Sequence, residues 1–214
     1  MLDIHRMVCN PYQANTFVVS DETGECVVID CGVFYEDERI AIVEYINSND
    51  LIPKHLLCTH AHFDHCVGND TIYETFGLQP ELCKRDELLL EAMPRQLSDF
   101  LGAEFENAIP PVGRFLEDGD IVTFGSHQFR VLATPGHTPG GLSFYCPEEH
   151  LVFTGDTLFR MSVGRTDLAG GDYTTMMKSL REVLAVLPKD TDVYTGHGPK
   201  TTIGAELAMN PFLR

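Results

Sequence analysis

Four apolar runs in this chain each end in a tight turn and then deliver a histidine or an aspartate. HLLCT (His55–Thr59) leads into HAHFDH, and RVLAT passes through Pro135 and Gly136 to His137. LVFTG stops at Asp156, and DVYTG (Asp192–Gly196) stops at His197. Short apolar runs bounded by turn residues read as buried strands. Strands that release such side chains at their ends suggest loops gathered along one edge of a sheet scaffold, where functional groups usually collect.

The first of these segments, CTHAHFDHCVGN (Cys58–Asn69), is the densest. A strand would send His60, His62 and Asp64 to one face and His65 to the other. A helix would bring His60 and Asp64 together but turn His62 away. No single regular element presents all four to one partner, whereas a loop wrapped around metal ions does. Adding His137, Asp156 and His197 makes seven candidate ligands: His60, His62, Asp64, His65, His137, Asp156 and His197. One zinc ion takes about four, so seven suit two ions that share a bridging carboxylate, at a separation of roughly 3.5–4 Å. His5, His55, His127 and His150 fall outside the pattern and read as surface or packing residues.

The chain has 214 residues, 43% hydrophobic and 22% charged. That is enough for one sizeable core, and the absence of an evident linker or repeat favours one domain over residues 1–214. The formal net charge of −17 opposes a nucleic-acid partner or an anionic membrane surface. No apolar run reaches the roughly 18–20 residues that a membrane span requires. The N-terminal residues lack the basic-then-apolar order of an export signal, and seven scattered cysteines read as reduced thiols in a cytoplasmic protein.

NTFVVS (Asn15–Ser20) and ECVVID (Glu25–Asp30) read as strands on either side of a DETG turn. Ile40, Val43 and Ile46 mark one helix face. Val67, Ile72 and Phe76 mark a second helix, ended by Gly77. Residues 84–112 start helical and turn irregular around Pro94 and Pro110–Pro111, the pattern of an insertion or lid. Two hairpins follow, turning at Gly125–Ser126 and at CPEEH. Tyr173, Met176, Met177, Leu180, Leu184 and Leu187 then define an amphipathic helix with Asp172 as its cap.

Taken in order, CTHAHFDH, PGHTPG, FTGD and TGHGP resemble the motifs of the metallo-β-lactamase superfamily over nearly the whole chain. The resemblance implies an α/β fold, an αββα sandwich of two mixed sheets flanked by helices, with metals at one edge. It also assigns His60, His62 and His137 to a first ion, Asp64, His65 and His197 to a second, and Asp156 to the bridge. Zinc β-lactamases of the main group carry a cysteine ligand where this chain has Asp or His, which points away from antibiotic hydrolysis. GDTLFRMSVGRTDLAGGD and GHGPKTTIGAELAMNPFLR are most similar to short members of the glyoxalase II group, hydroxyacylglutathione hydrolase-like proteins. Long members continue past an NPF-like segment into a helical domain that holds glutathione, whereas this sequence ends at Arg214. They also carry a tyrosine after the last metal histidine, where this chain has Gly198 and Pro199. Arg165 falls at the position of a glutathione-contacting lysine and is the candidate substrate-binding residue.

By that resemblance the expected activity is hydrolysis of a thioester such as S-lactoylglutathione, with two divalent ions, zinc or alternatively iron or manganese. A shared water whose pKa falls to about 7 would be the nucleophile, and Asp64 would orient it as the catalytic residue. The alternatives are a persulfide dioxygenase with one iron held by two His and one Asp, a lactonase, or a non-catalytic metal-binding interaction module.

Overall fold

Alternation within the first apolar runs determines the layering. The computed structural model describes residues 1–213. Phe17, Val19, Val27 and Ile29 point into one apolar cluster, while Val18, Cys26 and Val28 point into another. Both faces of these strands are buried, which is why they read as unbroken apolar runs rather than as alternating ones.

The strands form two mixed sheets. In the first, β1 (Asp3–Cys9), β2 (Ala14–Ser20), β3 (Glu25–Ile29), β4 (Ile52–Leu57), β5 (Pro80–Leu82) and β6 (Arg114–Phe115) lie in chain order. The β1–β2–β3 part is antiparallel and the β3–β4–β5–β6 part is parallel. The second sheet contains β7 (Ile121–Phe124), β8 (His127–Ala133), β9 (Leu142–Cys146) and β10 (Leu151–Gly155). After a small hairpin, β11 (Leu158–Phe159) with β12 (Ser162–Val163), come β13 (Asp192–Thr195) and β14 (Thr201–Thr202). β13 lies parallel beside β10, and β14 closes that edge.

The sheets face each other across Phe17, Val19, Ile29, Phe129, Phe144 and Phe153. Phe153 packs ring to ring with Phe17, Phe129 and Tyr194 at 5.0, 5.7 and 5.0 Å. Truncating so enclosed a ring would cost roughly 3–5 kcal/mol. Helices cover the outer faces. Ile42 and Ile46 of α1 (Glu36–Ser48) lie on the first sheet. Met176 and Met177 of a later helix (Tyr173–Lys178) and Leu180 and Leu184 of its π-wound continuation (Ser179–Leu184) lie on Val152 and Val193 of the second. The architecture is the αββα sandwich.

One local reading is corrected. The buried face of α1 is Ile42 and Ile46, while Ile40 is exposed. The break expected at Pro94 is present: one helix ends at Glu91, and Pro94 stands in the first turn of the next, Met93–Leu101, where its missing N–H is harmless.

His55 on β4 stitches the two sheets together at their margin. Its Nδ1 lies 2.5 Å from Glu81 Oε1 on β5, and its Nε2 lies 3.1 Å from the Thr123 carbonyl on β7. Burial disfavours its charge, but Glu81 and the Thr123 carbonyl outweigh that and raise its pKa. The charged form is thus favoured in the folded protein. Its contribution is complete below the ordinary histidine pKa and fades as pH rises through the raised value. Urea midpoints compared at pH 6 and pH 8.5 should fall with pH in the wild type, and His55→Ala should lower the pH 6 midpoint by the equivalent of roughly 1–3 kcal/mol. Equal midpoint losses for His55→Ala at both pH values would contradict this.

Candidate metal centre

The structure brings all seven sequence-designated side chains to one edge of the sandwich. β4 ends at Leu57, and the chain loops through His60 and His62 before one turn of helix, α2 (Phe63–Cys66), carries Asp64 and His65. The cluster is thus part loop and part helix. His137 comes from the turn after β8, Asp156 from the end of β10 and His197 from the end of β13.

His60, His62 and His137 form one triad, with ring centroids 4.6–4.9 Å apart. His62 Nδ1 and His137 Nε2 face each other at 2.8 Å. Asp64, His65 and His197 form a second. There His65 Nε2 lies 3.2 Å from His197 Nε2, and Asp64 Oδ2 lies 3.3 Å from His197 Nε2. Asp156 joins the two, with Oδ2 3.5 Å from His137 Nε2 and 3.5 Å from His197 Nε2.

A metal pair fits this arrangement on three grounds. His60 Nε2 and Asp156 Oδ1 are buried with no hydrogen-bond partner, although polar atoms rarely accept burial unpaired. Imidazole nitrogens facing each other at such distances need a proton or a cation between them. Finally, tetrahedral bonds of about 2.0–2.1 Å place neighbouring donor atoms roughly 3.3–3.4 Å apart, and the observed separations of 2.8–3.6 Å surround that value.

Asp30, at the end of β3, organises both triads and was not singled out from the sequence. Its carboxylate accepts from Thr59 N at 2.7 Å and Thr59 Oγ1 at 2.6 Å, and faces His65 Nδ1 at 3.2 Å. Because the Thr59 hydroxyl donates to Asp30, its oxygen accepts from His60 Nδ1 at 3.0 Å. That chain leaves His60 Nε2 as a bare lone pair. His137 is oriented similarly, its Nδ1 donating to the Arg165 carbonyl at 2.7 Å. Asp86, also missed, accepts from Ala61 N, Thr138 Oγ1 and Gly140 N, and so ties the first ligand loop to the loop of His137. The signal for Asp30 was present, since it too follows an apolar strand. Asp86 lies inside the irregular segment and carried none. Gly196 is required on steric grounds, because a Cβ there would lie 2.1 Å from Asp156 Oδ1 and 2.9 Å from His65 Cε1.

The electrostatics differ between the triads. Burial, then the neighbouring imidazoles, push His62 down to about 4 and His60 well below the ordinary range. Both therefore offer free lone pairs at neutral pH. For His65 and His197 burial acts the same way, but Asp156 and Asp64 outweigh it and lift them to about 9 and about 11. Asp64 is disfavoured as an anion by burial, yet His65 and His197 hold its pKa below the usual value.

The centre opens into a cavity of about 320 Å³ whose walls include Tyr12, Phe63, Gln96, Phe100 and Arg165. Arg165 reaches the cavity, but its guanidinium is engaged in a two-bond pair with Asp167 at 2.7 and 2.8 Å. Asp172 caps its helix by accepting from Thr175 N. The remaining histidines lie elsewhere: His5 stacks on Tyr45, while His55, His127 and His150 face acidic residues.

The profile of the metallo-beta-lactamase superfamily matches residues 9–197, and the chain belongs to that superfamily. It is 36% identical to the hydroxyacylglutathione hydrolase GloC of Haemophilus influenzae over 99% of this chain and 98% of that protein. Among solved structures it is similar to the B3 metallo-beta-lactamase BLEG-1 (36% identity, TM-score 0.90, 100% and 99% of the two chains). It is also similar to TTHA1623 in a di-iron-bound form (39%, TM-score 0.84, 98% and 100%) and to ETHE1 from Myxococcus xanthus (27%, TM-score 0.78, 98% and 83%).

Two outcomes are expected. Asp30→Ala, which removes no ligand, should weaken metal binding roughly 10–100-fold in competition with a chelator; unchanged affinity would show that Asp30 does not orient the histidines. A cation entering the second triad competes with the ionising protons of His65 and His197, whereas His60 and His62 are neutral at pH 7 and each already presents one unprotonated ring nitrogen. Chelator at falling pH should therefore strip the Asp64–His65–His197 site first. Loss of both ions together would contradict the difference between the triads.

Proposed function

We propose that the protein is a binuclear metal-dependent thioester hydrolase, with S-lactoylglutathione or a related hydroxyacyl thioester as the first substrate to test. The observation that carries this reading is the complete second triad beside the first, with Asp156 between them. A mononuclear site would leave Asp64, His65 and His197 as buried charge with no cation to hold. Similarity to GloC and to a di-iron protein supports the same reading.

His60, His62 and His137 would hold one ion, Asp64, His65 and His197 the other, and Asp156 both. The donor set is nitrogen and oxygen, suited to zinc and equally open to iron or manganese. Once bound, the ions supply a nucleophile at neutral pH and positive charge for a developing oxyanion. Asp64, kept ionised and lining the cavity, would orient the attacking water by accepting a hydrogen bond from it. Asp30 and Thr59 keep His60 in its ligating tautomer throughout. A thiolate with a pKa of roughly 8.5 departs without a dedicated acid, so no further proton donor is required. Nor does a cysteine nucleophile fit the site. Cys58 and Cys66 are buried, and the Cys66 thiol is held well above its usual range by its hydrogen bond to Cys58 and by burial.

The substrate is a small molecule, and the charge of −17 argues against nucleic acid. All seven cysteines are free, which suits a cytoplasmic setting. No helix among the described residues is long and apolar enough to cross a membrane.

A second reading, a persulfide dioxygenase with a single iron, is favoured by the similarity to ETHE1. The similarity to BLEG-1, a B3 metallo-beta-lactamase, makes β-lactam hydrolysis a third activity to test. A panel of thioesters, glutathione persulfide with an oxygen electrode, and a chromogenic β-lactam, run on protein of measured metal content, distinguishes the three. Thioester cleavage abolished by chelator is expected. Oxygen uptake by protein with one iron per chain would overturn the hydrolase.

Asp64→Asn should lower kcat by roughly 10²–10⁴-fold while the protein stays folded. Asp156→Ala should lose metal and activity together, and thioesterase activity persisting in metal-free Asp156→Ala protein would refute the mechanism.

A further inference from the structure

Outside the metal ligands, the cavity wall combines aromatic surface with polar groups that already have partners. Tyr12, Phe63 and Phe100 form one aromatic cluster. The Phe63 and Phe100 rings stack at 5.8 Å, and Tyr12 meets Phe63 edge-on at 5.3 Å and Phe100 at 6.5 Å. Phe63 directly precedes Asp64 and is buried, while Tyr12 and Phe100 remain 41% and 46% exposed at the cavity. On the far side Phe159 lies 6.0 Å from His197, beside Leu168.

The polar side chains of this wall are engaged within the protein. Gln96 Oε1 accepts from Phe63 N at 3.1 Å, and its Nε2 donates to the Leu89 carbonyl at 2.8 Å. Gln96 thereby clamps the helix Met93–Leu101 against the ligand-bearing turn and holds Phe100 in place. The Tyr12 hydroxyl donates to the Phe100 carbonyl at 3.4 Å. Arg165, the only charged lining residue among the described residues that is not a candidate ligand, is paired with Asp167. A peptide-like carrier entering this cavity would bury its amides and carboxylates against surfaces with little to offer them. An aromatic ring would instead meet the partly exposed rings of Tyr12 and Phe100, which can pack against it face-on or edge-on.

We infer that the Tyr12–Phe63–Phe100 wall is an apolar subsite, and that the protein selects thioesters bearing an aryl or similarly bulky apolar group next to the scissile bond rather than by polar contacts to the thiol carrier. This rests on the thioester hydrolase reading above. The ring can arrive on the acyl side or on the thiol side, and the chemistry at the wall is the same for both.

The test uses the metal-loaded protein with three simple thioesters: S-methyl thioacetate, S-methyl phenylthioacetate with its ring in the acyl group, and S-benzyl thioacetate with its ring in the leaving group. S-lactoylglutathione is the polar comparison. At least one ring-bearing thioester should exceed S-methyl thioacetate in kcat/KM by roughly tenfold or more, the discrimination an apolar pocket commonly provides. The one that does identifies the side of the bond that meets the wall. That ratio should fall towards one in Phe100→Ala, chiefly through KM, and Phe100→Leu and Tyr12→Leu serve as smaller perturbations if the alanine variant loses its metal. Calorimetric binding of phenylacetate against acetate to the same proteins reads the subsite without turnover. If phenylacetate binds more tightly than acetate in a Phe100-dependent way but no thioester is cleaved, the subsite stands and the hydrolase reading falls. If thioesters are cleaved with no preference for a ring, or with a preference that the three variants leave intact, the subsite is overturned and the hydrolase reading stands.

Discussion

Five imidazoles and two carboxylates share one nearly dry edge of this molecule, and their mutual compensation is the constraint on which the site depends. Burial disfavours the charged forms of His60, His62, His65, His197, Asp64 and Asp156. Left alone, the groups divide protons unevenly, with His65 and His197 charged and His60 and His62 neutral. Even then His60 Nε2 and Asp156 Oδ1 have no hydrogen-bond partner, although Asp156 Oδ1 lies 3.4 Å from His65 Nε2. Two dications would replace those protons and complete the unpaired atoms at once. A network only partly satisfied is costly in a medium of low polarity, so cations bound here would contribute to the stability of this edge as well as to its chemistry.

The fold serves that edge by bringing strand ends together. β3, β4, β10 and β13 run into the core, and each ends where Asp30, the His60–His65 segment, Asp156 and His197 begin. β3 with β4, and β10 with β13, are the parallel pairs that align these ends in one direction. Asp30 and Asp86 then join loops from different strands, and Gly196 lets the backbone of His197 pass close to Asp156. Asn15 adds a further tie, donating from Nδ2 to the carbonyls of Thr195 and Gly198 on either side of His197.

What was legible in the sequence follows the same physics. Strands buried on both faces are apolar throughout, so ECVVI and LVFTG announced themselves, as did the shorter DVYT; Asp156 and His197 at the ends of the last two were legible as candidate ligands, whereas Asp30 at the end of ECVVI was not. Gly77 in the left-handed conformation at φ 73° ended its helix as expected. The short and weakly apolar elements were not legible. Asp3–Cys9 is an edge strand whose residues are exposed or half-exposed except Cys9, and Pro80–Leu82 is three residues long. The helix Ile203–Met209 carries only two fully buried side chains, one of them Glu206. Glu206 accepts from Thr201 Oγ1, Met161 N and Asn210 Nδ2, and a buried glutamate satisfied in this way breaks the apolar periodicity that would have revealed the helix. On α1, spacing alone could not choose between Ile40 and Ile42, because the face that packs is decided by the sheet beneath it. The polar groups that support the ligands act through tertiary contacts, and no spacing rule reaches them.

Anomalous diffraction from crystals of the metal-loaded protein, recorded above and below the absorption edge of the bound metal, tests the central claim most directly. Two peaks per chain are expected, roughly 3.5–4 Å apart, one among His60, His62 and His137, the other among Asp64, His65 and His197, with Asp156 touching both. A single peak under saturating metal, with His65 and His197 left bonded only to protein groups, would contradict it.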